Sequence, residues 1–283
     1  MALGEVGIGA APPERFRALL GDGYGQVEDA IAKAGELLAG RVIWHVNSTA
    51  RGGGVAEMLQ SLLAYARGAG VDARWLTIEG DEDFFRVTKR IHNNLHGSAG
   101  DGGELGAAER EIYENATARN AGELSALISP EDIVYLHDPQ TAGLVEPLRS
   151  SGAEIIWRCH IGLDEPNDLA RRAWEFLRPY VEGADAYVFS RQAFAWEGLD
   201  EDKVWLIAPS IDVFSPKNEE MDPAVVRASV ARIGISPDGP ANPVFHRHDG
   251  SPGRVDRAAE LDQDEPVPHD APLVMQVSRW DRL

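Results

Sequence analysis

Arg41-Val-Ile-Trp-His-Val-Asn-Ser-Thr-Ala-Arg-Gly-Gly-Gly-Val55, continued by Ala56-Glu-Met-Leu-Gln-Ser-Leu-Leu-Ala-Tyr-Ala-Arg-Gly-Ala-Gly70, reads as strand, glycine loop and helix. Val42 to Val46 is the short, apolar, partly β-branched run that a strand covered on both faces requires. From Val55 the apolar residues fall at Val55, Met58, Leu59, Leu62, Leu63 and Ala66, spacings of three and four that bury one helical face. Gly68 and Gly70 end the helix. Between the two, Gly52, Gly53 and Gly54 let another molecule approach the backbone without meeting a Cβ, and their N–H groups lie at the positive end of the helix dipole. That is a seat for a phosphate or a sugar hydroxyl, with a tight turn that only packs helix on strand as the alternative. The spacing is not G-x-G-x-x-G and no Lys-Ser/Thr follows, so neither the dinucleotide fingerprint nor the P-loop is present.

Working outward, residues 14–20 and 26–38 read as helices, the second with Val27, Ile31, Ala34 and Leu38 facing inward. Strands are expected over 73–78, 133–136, 154–159, 186–189 and 204–208, alternating with helices over 82–95, 104–128, 142–148 and 168–181. Asp81 caps the first of these, whose Phe84, Phe85, Thr88, Ile91 and Leu95 line one side. Repeated βα units give an α/β fold, a doubly wound parallel sheet covered on both faces. Beyond residue 216 comes one more helix, 222–233, and then a stretch, 236–272, crowded with Pro, Gly, Asp and Arg and without apolar periodicity. Leu273, Val274, Met275, Gln276 and Val277 read as a fresh buried strand, the start of a second lobe that is mostly absent. The expected division is 1–40, a helical segment; 41–215, the sheet lobe; 216–272, helix and linker; and 273–283, the incomplete second lobe.

With 283 residues and 43% hydrophobic content the chain can bury a large core. A formal charge of −19 argues against nucleic acid or an anionic membrane surface as a partner, since both would repel it. The single cysteine, Cys159, excludes an internal disulfide, fits a reducing compartment and, lying in an apolar run, reads as an inert buried thiol. The first thirteen residues contain Glu5 and no Lys or Arg, unlike a signal peptide, and no apolar run reaches the roughly 20 residues of a membrane span. A soluble cytoplasmic protein is expected.

In an open α/β sheet, ligands bind outside the carboxyl ends of the strands. The first strand ends in Asn47-Ser48-Thr49 and the glycines, the third in His137-Asp138-Pro139-Gln140, the fourth in His160, the fifth in Ser190-Arg191-Gln192 and the sixth in Pro209-Ser210-Ile211-Asp212. Any one of these groups suits a loop that satisfies its own backbone; five together favour a polyol or phosphate site. Sharper motifs fall away. Asp81-Glu82-Asp83 mimics a metal-holding D-x-D but sits where acids cap a helix. His92 and His96 have chelating i, i+4 spacing without a third ligand, and His246-Arg247-His248 lies in the linker. No Ser-x-x-Lys, G-x-S-x-G or C-x-x-C occurs, so hydrolase and redox readings lack their central residue.

The runs His45-Val-Asn-Ser-Thr-Ala-Arg-Gly-Gly-Gly-Val-Ala-Glu57, His137-Asp-Pro-Gln-Thr141, Trp157-Arg-Cys-His160, Ala208-Pro-Ser-Ile-Asp212 and Val277-Ser-Arg-Trp-Asp-Arg-Leu283 resemble the trehalose synthases of the glycosyltransferring kind, retaining family 4 glycosyltransferases of the GT-B fold. The resemblance implies two facing Rossmann-like lobes, with the acceptor held mainly by the first and the nucleotide-sugar by the second. By position it implies that the backbone of Gly53 and Gly54 approaches the donor diphosphate. Asp138 would orient the acceptor hydroxyl, with Asn47, Gln140 and Arg191 around the acceptor. His160 would contact the transferred glucose, and Arg279 would neutralise the diphosphate. His160, Asp138 and Arg279 are thus the implied catalytic set. A companion lysine is expected just after Leu283.

The implied reaction is glucosyl transfer with retention from a nucleoside-diphosphate glucose to glucose. It needs cations and N–H donors on the leaving group, and neither a metal nor any cofactor beyond the substrates. The implied partners are therefore a nucleotide-sugar donor and a sugar acceptor; the oligomeric state, monomer or homo-oligomer, stays open. Two other readings stand beside this one. A sugar-phosphate acceptor is kept open by Arg51, Arg158 and Arg191, and a non-catalytic sugar-binding fragment by the incomplete second lobe.

Overall fold

The structure, a computed structural model, describes residues 3–215, 217–237, 239–240, 242–246, 251–268 and 270–276. The chain divides into two compact units, the first running to Ser210 and the second beginning at Ile211.

The first unit is built on one seven-stranded sheet. In chain order its elements are β1 (Leu3–Val6), α1 (Arg17–Leu20), α2 (Gly25–Leu37), β2 (Val42–Asn47), α3 (Gly54–Gly68), β3 (Asp72–Ile78), α4 (Glu82–Leu95), α5 (Ala107–Ser125), β4 (Ile133–His137), α6 (Val145–Leu148), β5 (Glu154–Cys159), α7 (Asp168–Val181), β6 (Ala186–Phe189) and β7 (Val204–Leu206). The strand order is β1-β3-β2-β4-β5-β6-β7. Every pairing is parallel except that of β1, which runs antiparallel to β3 at the edge.

Because strand side chains alternate, the sheet feeds two cores. Trp44, Val46, Leu76, Val134, Leu136 and Trp157 pack with α4, α5 and α7 on one face. Trp75 and Ala73 pack with Leu59 and Leu63 of α3 on the other. The mostly parallel α/β sheet read from the sequence is the fold found. Asp132, buried at 3% exposure just ahead of β4, ties the strand starts together. Its Oδ1 accepts from Val42 N (3.0 Å), and its Oδ2 accepts from Trp44 Nε1 (3.0 Å) and Ser129 N (2.9 Å). Burial works against its charge, and the three donated bonds hold the carboxyl below the usual range.

Several local expectations need correction. Residues 1–40 are not only helical: Leu3–Val6 is an edge strand, four residues long and therefore too short to show alternation. The stripe of α2 is in place, but Val27, Ile31, Ala34 and Leu38 are only half-buried. Phe85 lies off the buried stripe of α4 and is 38% exposed. The helix expected over 142–148 is a 3-10 turn, Pro139–Leu144, followed by the short α6; Gly143 and Pro147 prevent a longer α-helix from forming. The buried strand expected from Leu273 is also absent. Residues 273–276 are irregular, Val274 is 98% exposed, and among the described residues no strand pairs with them. Val277 to Leu283, with Arg279, lie outside the described residues.

The second unit holds α8 (Pro223–Ile233), capped by Asp222 Oδ1 accepting from Ala224 N at 2.7 Å, and a two-stranded ribbon of β8 (Val244–His246) and β9 (Pro252–Arg254). That ribbon interrupts the stretch read as linker.

Candidate functional site

The parallel run β2-β4-β5-β6 ends on one rim, and each strand delivers chemistry there. After β2 the loop opens at Gly52 (φ 73°) and Gly53 (φ 93°), both in the region that favours glycine, and Gly53 is the N-cap of α3. Beyond the adjoining residues and the helix's own backbone, no heavy atom lies within 4 Å of a Cβ built on Gly52, Gly53 or Gly54, so the space over the helix N-terminus is open. Asn47 is spent holding this loop: its Oδ1 accepts from Trp75 Nε1 (2.8 Å) and its Nδ2 donates to Thr49 O (2.8 Å).

Asp138, directly after β4, has φ 65°, the one positive φ among described non-glycine residues. The surroundings over-determine that strained backbone. Its N–H donates to Arg158 O (2.8 Å), and its carbonyl accepts from Trp157 Nε1 (3.2 Å) and Thr141 N (3.2 Å). The side chain then turns to β5, where Oδ1 accepts the backbone N–H of His160 at 2.8 Å. Desolvation pushes this carboxyl up to about 7, although the His160 N–H and the Arg158 guanidinium both pull it down. Gln140 is half-buried in the 3-10 turn that follows. That turn is pinned from α5 by Tyr113, whose hydroxyl donates to Pro139 O (2.6 Å) and accepts from Gly143 N (2.9 Å).

Three histidines line up across the strand ends. His45 Nδ1 lies 3.0 Å from His137 Nε2, and His137 Nδ1 lies 3.1 Å from His160 Nε2. The rings stack in sequence, with centroids 5.3 Å and 5.4 Å apart, and Tyr135 stacks on His45 at 4.9 Å. Burial, helped by the nearby Arg158 charge, lowers His45 and His160 to about 3 and His137 well below its ordinary value. All three are neutral near pH 7. Arg158 itself is 7% exposed, and its Nε has no acceptor among the described residues.

On β6 the rim continues to Arg191, which forms an ion pair with Asp164 (3.1 Å) and lies over the Phe194 ring. Together with Gly162, Leu163 and Glu165 they line an open cleft of about 540 Å³. Of the expected residues the cleft takes in Arg191 alone. The glycine loop stands three strands away, roughly 14 Å at ordinary strand spacing. Asp138 and His160 are bonded to each other between these two ends.

Residues set aside in the sequence are equally placed. Asp81 caps α4 through Phe84 N (2.8 Å), and Asp83 pairs with Arg86. Among the described residues, no group of three or more His, Cys, Asp or Glu is arranged to hold a metal ion. Cys159 is fully buried and its thiol is pushed well up by burial. No helix among the described residues is long and apolar enough to cross a membrane. His45 was missed because it reads as part of the apolar run, two residues inside the end of β2; the available signal was a histidine within two residues of the carboxyl end of each of the adjacent strands β2, β4 and β5.

Fold and rim together define an α/β protein with a mostly parallel sheet and a polar carboxyl edge. Residues 45–196 match the family model described as the trehalose synthase N-terminal domain, and the chain belongs to that family. It is 38% identical over 229 residues to a trehalose synthase of Thermococcus litoralis, covering 80% of this chain and 52% of that one. It is 36% identical over 252 residues to a trehalose synthase of Pyrococcus horikoshii, covering 89% and 58%. A trehalose synthase of Rubrobacter xylanophilus is 38% identical over 220 residues, covering 77% and 50%. The chain thus spans about half the length of the curated relatives it matches.

Proposed function

We propose that this chain is the acceptor-side lobe of a retaining glycosyltransferase of the GT-B kind, which moves glucose from a nucleoside-diphosphate glucose to glucose and so makes trehalose. The observation that carries this reading is the bonded pair at the centre of the rim: Asp138 accepts the His160 N–H, with the open glycine helix on one side and the Arg191 cleft on the other. In this reading Asp138 Oδ2 receives the acceptor hydroxyl, and His160 addresses a hydroxyl of the transferred sugar. The Gly53 and Gly54 amides face the diphosphate, with Arg279 supplying positive charge to it. Gln140 and Arg191 border the acceptor, and Asn47 shapes the loop from behind. Charge on the leaving diphosphate is met by these donors, the acceptor proton leaves with it, and no metal is required.

The Arg191 cleft favours an uncharged acceptor over a sugar phosphate. Arg191 is already paired with Asp164, and Glu165 adds a second negative charge beside it, so a phosphate would meet net repulsion. Replacing Asp164→Asn should raise affinity for glucose 6-phosphate relative to glucose by about tenfold, or ~1.4 kcal/mol. Calorimetric titration with both sugars decides this, and an unchanged ratio sinks the assignment of Arg191.

The reading as a whole is tested in two arms. Glucose should bind the 283-residue chain and shift the resonances of Asp138, His160 and Arg191, with Asp138→Asn weakening it roughly tenfold. The chain by itself should release little nucleoside diphosphate in a coupled assay, and a protein with a complete second lobe should form trehalose. Glucose that perturbs none of the three residues refutes the proposal.

A further inference from the structure

A neutral imidazole carries one hydrogen on its two nitrogens, and each ring here presents a different nitrogen to each neighbour. His137 sits in the middle, with Nε2 towards His45 Nδ1 (3.0 Å) and Nδ1 towards His160 Nε2 (3.1 Å). Only two hydrogen arrangements satisfy both contacts. In one, His45 Nδ1–H donates to His137 Nε2 and His137 Nδ1–H donates to His160 Nε2, which leaves the hydrogen of His160 on Nδ1. In the other, His160 Nε2–H donates to His137 Nδ1 and His137 Nε2–H donates to His45 Nδ1, which leaves His160 Nδ1 as a bare acceptor. Any mixture makes two lone pairs, or two hydrogens, face each other across about 3 Å inside the protein.

We infer that His45, His137 and His160 share one tautomer, all Nδ1–H or all Nε2–H, and that His45 and His137 are positioning residues that set whether the remaining nitrogen of His160 donates to or accepts from a sugar hydroxyl. The second half of this rests on the proposed role of His160; the shared tautomer does not. The surroundings keep the chain uncharged. Arg158 on β5 places a cation beside all three rings, Tyr135 covers His45, and Asp138 turns its Oδ1 to the His160 backbone N–H. Burial of His45 (7% exposed) and His137 (1% exposed) excludes water that would otherwise satisfy either nitrogen and uncouple the rings. The result is a donor or acceptor at the rim whose sense is decided two strands away.

Long-range proton–nitrogen correlation of the chain labelled with nitrogen-15 histidine reads this without donor or acceptor present. At pH 6.5 the three rings should be neutral and of the same tautomer. Two rings of opposite tautomer, or an imidazolium among the three, overturn the inference. His137→Phe keeps an aromatic ring in the stack and removes both bonds. It should leave His45 and His160 free to differ in tautomer, while burial and the Arg158 charge keep His160 neutral. His137→Gln, which keeps one donor and one acceptor, should hold His160 in a single tautomer. A His160 indifferent to His137→Phe overturns the coupling. If that variant does not fold, the spectrum of the unmodified chain still decides. Matching tautomers together with glucose binding that ignores Asp138→Asn would refute the proposed function and leave the shared tautomer standing.

Discussion

Unfolding the chain at pH 4.5 is expected to require at least ~2 kcal/mol less than at pH 7, because the stacked histidines refuse protons that the unfolded chain accepts. His45 and His160 titrate near 3 in the folded state against about 6.5 unfolded. Their contribution is complete above pH 6.5 and is lost as the pH falls towards 3. Between pH 7 and pH 4.5 the two together forfeit ~5 kcal/mol, and His137, shifted the same way, adds to the loss. Asp138 works in the opposite sense. Its folded value of about 7 lies above the unfolded carboxylate value, so it costs stability at neutral pH and returns ~3 kcal/mol on acidification. The histidines win. Urea unfolding at the two pH values measures the difference, and His45→Gln should flatten the slope if the rings are its source. A stability equal at pH 7 and 4.5 would show that the rings are not held neutral by the fold. Against a typical total of 5–15 kcal/mol, the expected loss is a large share.

Tyr113→Phe is expected to cost ~2–3 kcal/mol while removing one oxygen atom. The hydroxyl is fully buried and serves two backbone groups of the 3-10 turn, accepting from Gly143 N and donating to Pro139 O. Deleting it leaves both unpaired and out of reach of water, the costly case for a hydrogen bond. The ring itself would stay in its aromatic nest against Phe84 and Phe176, so packing loss is small. Because that turn begins at the residue after Asp138, the variant should also speed amide exchange at Gly143 and weaken glucose binding. Equilibrium unfolding and hydrogen exchange check both, and a change in stability below ~0.5 kcal/mol would show that the hydroxyl is not the pin.

The parallel sheet was legible because its strands are short apolar runs between helices with clear periodicity. The glycine loop and the Asp81 cap were legible because their residues act within four positions of themselves. Asp138 and His160 could be picked out by asking what each strand ends in. The pairing between them could not, since it depends on β4 and β5 lying side by side with His137 opposite Arg158. The same limit hid His45, an apolar-run residue until β4 brings His137 beside it, and Tyr113, whose task lies 26 residues further along the chain. The stretch from Leu273 failed for the converse reason. Its composition suits a strand, but a strand exists only with a partner to bond to, and residues 273–276 have none among the described residues.

The positive-φ backbone at Asp138 bears on how freely this position can drift. At φ 65° and ψ 177° it lies outside the αL well that aspartate and asparagine visit, in a region that belongs almost to glycine alone, so any side chain here carries backbone strain. Asparagine loses the charge and keeps the shape. Glycine is the replacement that relieves the main chain, at the cost of the carboxylate, so at this position backbone comfort and acid chemistry pull in opposite directions.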